Sequence, residues 1–284
     1  FQKKINIYVF DKKKIEKKVL KNKNIQVLHS LKNQNIYDLA IISTNSEERF
    51  KVFLNLVKNN TVKNILFEKF VYFQKSEFKK TIAIIKKNKI NAWVNCIRRE
   101  ILIFQKLKKK LFGKFELIFQ YKNWGMACNS IHFLDLFSFL SGYSKVNVSE
   151  TNLDKKIYRS KRKSYMEFKG TIKFRVNNCS LLIEDRNIFN NKIFKIVSKN
   201  KIFYFNKKEN SLTEKNFKTN SLQKFKCEYP RVSLVSYKLI NKILNDKKIN
   251  LTSINESFYH HRILIDLFSK HLKKIKYKNK LKIT

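Results

Sequence analysis

The sequence predicts an α/β half built on a parallel sheet, followed by an α+β half dominated by one antiparallel sheet. Three observations carry that reading. Up to about residue 96, short apolar runs and helical periodicity alternate at roughly 20–30-residue intervals, the pattern of βαβ units. From Val146 to about Phe205, strand-like runs follow one another with only short polar turns between them, as in an antiparallel sheet. The 284 residues include only 4 Gly and 1 Pro, which excludes collagen-like, flexible-linker and Pro-rich architectures.

Taken in order, residues 5–10 (INIYVF) form a β-rich apolar run ending at Asp11, and the Lys-rich stretch behind it suits a surface helix. Residues 37–44 (YDLAIIST) are continuously apolar enough for a strand buried on both faces. Asn45 or Ser46 then caps a helix carrying Phe50, Phe53, Leu54 and Val57 at helical spacing. Residues 64–68 (NILFE) read as a buried strand, 76–87 as a helix and 91–96 (NAWVNC) as a strand. A helix over 100–111 and a strand over 115–121 come next, then an apolar helix over 130–140 ended by Gly142. Strands are expected at VNVSE, GTIKFRV, CSLLIED, IFKIVS and KIFYFN, and helices over 232–244 and 256–272 close the chain.

Hydrophobic residues make up 43% and aromatics 14%, too apolar for a disordered polycation. Lys and Arg number 63 against 21 Asp and Glu, a net charge of +42. Lys is spread along the whole chain, beside abundant Asn, Ile, Phe and Tyr, which reads as AT-rich coding composition rather than a dedicated nucleic-acid surface. Weak clusters near 155–163 and in the tail KKIKYKNKLK lack interleaved aromatics. Salt-sensitive, non-specific binding to nucleic acid is still expected. No run approaches the ~20 uncharged apolar residues of a membrane span. Cys96, Cys128, Cys179 and Cys227 form no C-x-x-C pair, so free thiols in a reducing cytoplasm are expected.

Three blocks occur in a telling order: DLAIIST (38–44), the Glu68-Lys69 of ILFEKF, and WGMACNSIHFLDLFSFLSG (124–142). Together they resemble the Gfo/Idh/MocA oxidoreductases, which pair a Rossmann domain with an open antiparallel-sheet domain. The terminal ESFYHHRILIDLF is similar to that family's closing helix. The resemblance implies a Rossmann-like NAD(P)-binding domain over 1–99 and a sheet domain for substrate and oligomerisation over 100–284. It implies a sugar or nucleotide-sugar substrate in surface-polysaccharide or glycan synthesis, a homo-oligomer, and NAD or NADP as cofactor. Asp11, Thr44, Asn45, Glu68, Lys69, Asn95 and Arg98 would then line the cofactor site. His132 would be the base, Lys69 the hydrogen-bonding cation, and Cys128 and Asp135 the flanking motif positions.

Departures accompany the resemblance. No G-x-G-x-x-G turn is present, and residues 5–10 match the family's second strand. With Phe1 in place of Met, this leads to the expectation of a truncated chain missing about 30 residues, one βα unit. Phe70 replaces the family's Pro, Arg49 its His, and Cys128 the carboxylate four residues before His132.

Each site residue also has a plain structural reading. Lys69 is costly at a buried strand end unless it faces a polar site or snorkels to solvent. His132 suits proton transfer, with an ordinary pKa of about 6.5, yet sits between Ile131 and Phe133 as a core histidine would. Cys128 shares its helical face and is either a thiolate partner or an inert buried thiol, with Asn129 or Asp135 left to orient the ring. Asp11 either binds ribose or caps a helix, and Lys12, Lys13 and Lys14 suit a 2′-phosphate equally well. Arg98 and Arg99 line a cleft or decorate a surface, and Trp93 reads as core. Glu256 and His260 have the spacing of a metal pair, but no further ligand candidates accompany them. Two alternatives stand beside the oxidoreductase: a catalytically impaired member that binds a sugar or a partner, and a basic nucleic-acid-binding protein.

Overall fold

The computed structural model describes residues 5–11, 15, 21–32, 34–111, 113–162, 164–206, 208–226 and 232–284. The Lys-rich helix expected after Asp11 and the thiol of Cys227 lie outside these residues. Two parallel sheets open the chain. Strands β1 (Ile7–Val9) and β2 (Ile25–Val27) pair with each other. Strands β3 (Ile36–Ile42), β4 (Thr61–Phe67) and β5 (Asn91–Val94) form the second sheet in that order, joined through helices α1 (Ser46–Asn59) and α2 (Lys75–Lys87). The parallel strands are thus split between two sheets. Tyr8 of β1 meets Tyr37 of β3 edge-on, with ring centroids 5.7 Å apart. Strand β4 is apolar on both faces toward its end: Ile65 and Phe67 share one cluster with Phe53 of α1 and Phe78 of α2, while Leu66, on the other face, packs with Leu239, Ile243 and Leu251 from the C-terminal part of the chain.

A 3-10 turn (Ile97–Glu100) and helix α3 (Leu102–Lys110) lead into the second half. Its eight-stranded sheet runs β15-β14-β13-β12-β6-β11-β10-β7. The strands are β6 (Phe115–Tyr121), β7 (Asn147–Leu153), β10 (Gly170–Val176), β11 (Cys179–Asp185), β12 (Ile193–Ser198), β13 (Lys201–Asn206), β14 (Ser211–Asn216) and β15 (Ser221–Lys226), with a small β8–β9 pair (Tyr158–Arg159, Met166–Glu167) beside it. All neighbours are antiparallel except β6 and β11, which run parallel at the centre. The expected class, α/β followed by a mostly antiparallel open-sheet α+β half, is therefore the observed one.

Alternation along β11 turns Leu181, Ile183 and Asp185 to one face, where helix α4 (Met126–Ser141) lies. Residues on every side of α4 are buried, as for a helix wrapped by protein. Phe133 of α4 stacks on Phe119 of β6 at 4.0 Å, and Phe104, Phe194 and Phe205 continue the aromatic core. Gly142 ends α4 at φ +79°, as its sequence position implies, but the helix begins earlier than the apolar run, at Met126. Helix α5 is Val232–Leu244. Helix α6 (Ile254–Lys274) is capped by Ser253, whose hydroxyl accepts the Glu256 N–H at 3.2 Å. It joins both halves: the Val94 N–H reaches the Thr252 carbonyl at 3.1 Å, and Phe268 stacks on Phe168 at 4.5 Å. No helix among the described residues is long and apolar enough to cross a membrane.

At Gly170 the missing side chain decides packing between two strands. Its φ is +127°, and a Cβ would stand 2.1 Å from the Asn152 carbonyl oxygen. Gly170→Ala must force β7 and β10 apart and is expected to lower stability by about 3 kcal/mol, read as a lower urea midpoint at unchanged slope.

Candidate functional site

The site lies where β3, β4 and β5 end. Past β4 the chain is tied to both neighbouring strands: the Glu68 N–H bonds the Ile42 carbonyl at 3.0 Å, and the Asn95 N–H bonds the Phe67 carbonyl at 2.8 Å. The Asn95 side-chain amide donates to Glu68 Oε1. The Lys69–Phe70 peptide is cis. Two buried side chains hold the loop that follows. Arg49, 1% exposed, donates to the carbonyls of Thr44, Phe70 and Val71, so one guanidinium stitches the β3 loop to the β4 loop. Burial draws its pKa down to about 10. From α6, His261 Nε2 accepts the Val71 N–H at 3.0 Å while Nδ1 lies 2.8 Å from the Ser257 carbonyl. That pairing places the proton on Nδ1, and burial pushes the ring's pKa down to about 3.

Lys69 is thereby aimed at the first turn of α4. Its Nζ donates to Cys128 Sγ at 3.1 Å, the Cys128 carbonyl at 3.2 Å and Asn129 Oδ1 at 3.1 Å. The turn before α4 is itself fixed: Asp185 accepts the Asn123 N–H at 2.7 Å and the Trp124 N–H at 3.1 Å, and the Asn129 amide donates to the Trp124 carbonyl at 2.7 Å. One helical turn on from Cys128, His132 is largely enclosed. Burial, then the nearby cations Arg98 and Lys69, hold its pKa well below 6.5, so the ring is neutral at neutral pH. The Arg98 guanidinium lies 4.5 Å over the Phe133 ring beside it.

No family model matches the chain, and no curated protein matches it in sequence. Solved structures do match. A dehydrogenase (MviM) from Clostridium difficile aligns with a TM-score of 0.70 and 16% identity, over 93% of this chain and 90% of that one. A Gfo/Idh/MocA family oxidoreductase from Vibrio cholerae aligns with a TM-score of 0.62 and 9% identity, over 84% and 79% of the two chains. The chain has the Gfo/Idh/MocA fold. UDP-N-acetylglucosamine 3-dehydrogenase GnnA from Acidithiobacillus ferrooxidans shares it, with a TM-score of 0.60 and 15% identity over 83% of this chain and 77% of that one.

Within this fold Lys69 bonds Cys128 and Asn129, Asn95 bonds Glu68 beside it, and Arg98 and Lys69 stand near enough to His132 to act on its charge, so these residues gather in one region. Four buried polar atoms in and beside it have no hydrogen-bond partner among the described residues: Thr44 Oγ1, Asn95 Oδ1, Arg98 Nε and His132 Nδ1. Buried polar atoms are rarely left unpaired without a reason, and ligands of open α/β sheets bind at the carboxyl ends of the strands. Asn45 borders the cluster, at the start of α1, with its Oδ1 3.3 Å from Arg162 Nη1. Asp11 stands exposed after β1, in the other parallel sheet.

Asp135 corrects the sequence reading. Its carboxylate is fully buried and paired with Arg99 at 2.8 Å, so it does not orient His132. Arg99 also binds Glu256 at 2.8 Å, which engages the carboxylate of the Glu256–His260 pair. Arg98 and Arg99 therefore separate: Arg98 borders the cluster and Arg99 is internal scaffolding. Sequence reasoning missed the roles of Arg49 and His261, both long-range carbonyl or amide partners of the Lys69 loop. It missed Glu167 altogether. That residue belongs to a two-residue strand with no periodicity to read, and its Oε2 accepts the Ala127 N–H at 2.7 Å.

Proposed function

We propose that this protein is an NAD(P)-dependent oxidoreductase that moves a hydride between a nicotinamide cofactor and a sugar or nucleotide-sugar hydroxyl or ketone. The observation that carries it is the set of unpaired buried atoms around Lys69 at the ends of the parallel strands. Thr44, Asn95 and Glu68 would hold the nicotinamide end of the cofactor, and Asp11 the ribose. The nicotinamide, when bound, supplies or accepts the hydride. Residues 1–112 contain no glycine, so a glycine-rich turn for the phosphates is not among these residues. His132, neutral at neutral pH, accepts the hydroxyl proton at a ring nitrogen. Lys69 donates a hydrogen bond to the substrate oxygen as it gains charge. Cys128 and Asn129 fix the Lys69 ammonium between them.

The same reading gives the cofactor to residues 1–99 and the substrate to 100–284, in a cytoplasmic enzyme of surface-polysaccharide or glycan synthesis. The sugar class is supported by the similar fold of GnnA. Exposed apolar residues on one face of the large sheet, Tyr204 and Leu222, support a homo-oligomer. A second reading, an impaired member that binds a sugar or partner without turnover, is favoured by the thiol at 128. If it holds, Cys128→Asp raises turnover from a negligible level.

Fluorescence titration with NADH and NADPH at physiological salt, where charge-only binding is weak, tests the proposal. Saturable micromolar binding of one of them is expected. Failure of both to bind would end the oxidoreductase reading.

A further inference from the structure

Two cations of the site lack a countercharge. Lys69 follows β4 and Arg98 follows β5, and these strands are neighbours, with Phe67 beside Val94. The two strand ends therefore leave the sheet about 5 Å apart. Both side chains then land on α4. The Lys69 ammonium sits on Cys128 and Asn129, and the Arg98 guanidinium lies 4.5 Å over the Phe133 ring. Asn129 and Phe133 are one helical turn apart, with His132 between them. Among the described residues, the Lys69 ammonium has only neutral acceptors, Arg98 forms no ion pair, and Arg98 Nε and His132 Nδ1 are buried without a partner. Arg99, the next residue, is the contrast: it holds both Asp135 and Glu256. The other carboxylates around the site are engaged elsewhere. Glu68 accepts the Asn95 amide, Glu167 the Ala127 N–H, and Asp185 the N–H groups of Asn123 and Trp124. The chain thus supplies two carboxylates to Arg99 and none to Arg98 or Lys69.

We propose that the substrate is an acidic sugar, whose carboxylate Arg98 binds while Lys69 and His132 address the hydroxyl or ketone. The role of Lys69 and His132 rests on the oxidoreductase reading, but the anion preference of Arg98 does not. A partly buried cation is satisfied by an anion, and the protein withholds its own here. The planar guanidinium fork matches a carboxylate with two parallel hydrogen bonds. Phe133 takes up one side of the group, and its N–H donors remain for a ligand. Arg98 and Lys69 are a single helical turn apart along α4. The charge that Arg98 reads therefore belongs to the sugar ring, a few bonds from the reacting carbon, rather than to a distant diphosphate. Arg98 is thus a specificity-determining residue.

The test is ligand-observed NMR titration of the full chain at physiological salt, with and without NADH. The probes are D-glucuronate against D-glucose and UDP-glucuronate against UDP-glucose, pairs that differ only in the carboxylate, with D-glucose 6-phosphate as the phosphate counterpart. In at least one pair the acid should bind roughly tenfold or more tightly than its neutral partner, the size of effect of a charge-assisted hydrogen bond. Arg98→Met, which keeps an apolar side chain beside Phe133, should erase that preference. Acetate at equal ionic strength should not displace the acid, which separates a site from the general pull of a basic protein. No preference for the acid in either pair, a stronger preference for D-glucose 6-phosphate than for D-glucuronate, or displacement by acetate would overturn the proposal, and none of these needs a variant. A preference that survives Arg98→Met would overturn it too. If the acid preference holds and Arg98→Met removes it while neither NADH nor NADPH binds, the anion site stands and only the oxidoreductase reading falls.

Discussion

Arg99→Met is expected to cost about 3–5 kcal/mol of folding stability, the size of effect seen when a buried ion pair loses one partner. Arg99 is 5% exposed and Asp135 fully buried. Arg99 Nε lies 2.9 Å from Asp135 Oδ2, and Nη2 reaches the Asp135 carbonyl at 3.3 Å and Glu256 Oε1 at 2.8 Å. One side chain thus ties the turn after β5 to α4 and α6. Without it, the Asp135 carboxylate is left charged and unpaired in the core. Burial already pushes the Asp135 pKa up to about 6 despite Arg99, against an unfolded value of 3.8. A carboxyl raised on folding favours the folded state most below its unfolded pKa, and that advantage is lost as pH rises through the folded value. The defect in Arg99→Met should therefore be largest near pH 8 and shrink toward pH 5, as Asp135 takes up a proton. Adding Asp135→Leu should recover much of the loss, because an apolar pair can replace a buried ionic one. Urea unfolding of the single and double variants at both pH values checks this.

Lys69→Ala is expected to slow hydride transfer by roughly 100- to 1,000-fold, the range for removing one preorganised donor to a developing charge. The reduction should appear mainly in kcat, because the ammonium matters most when the substrate oxygen is most negative. Stability should change little, since Lys69 is partly exposed and its partners, Cys128 Sγ and Asn129 Oδ1, are not left in a sealed core. Lys69→Arg should not restore the rate. Three acceptors at 3.1–3.2 Å surround a compact ammonium, and a planar guanidinium does not fit that arrangement.

Much of this architecture is legible in the sequence because its cause is local. Continuous apolar runs mark a strand covered on both faces in β4, and alternation marks the half-covered β11. The run in β3 misleads: β3 is the edge strand of its sheet, with only Ile42 buried and Ile36 and Ile41 exposed, so it is not the doubly buried strand its sequence implies. Strands β14 (SLTEKN) and β15 (SLQKFK) escape such a reading. They sit at the sheet edge, where β15 is largely exposed, and their pairing comes from turns and neighbours rather than from hydrophobicity. Lys69, Cys128 and His132 are readable as a group because the strand end and the helix that carry them are recognisable motifs. Asp135 misleads for the same reason: its motif position points to the site, while its partners are an arginine from the turn after β5 and, through it, a glutamate in α6. Arg49, His261 and Glu167 act only through contacts between residues far apart in sequence, and no local pattern announces them.

Deuterium transfer is the most direct test of the oxidoreductase assignment. Cofactor deuterated at the transferable position would be incubated with the full chain and a panel of keto-sugar nucleotides, and the sugars read by mass spectrometry. One deuterium per turnover is expected in the reduced sugar, appearing roughly 100- to 1,000-fold more slowly in Lys69→Ala. Unlabelled sugars throughout, under conditions where the cofactor is bound, would contradict the assignment.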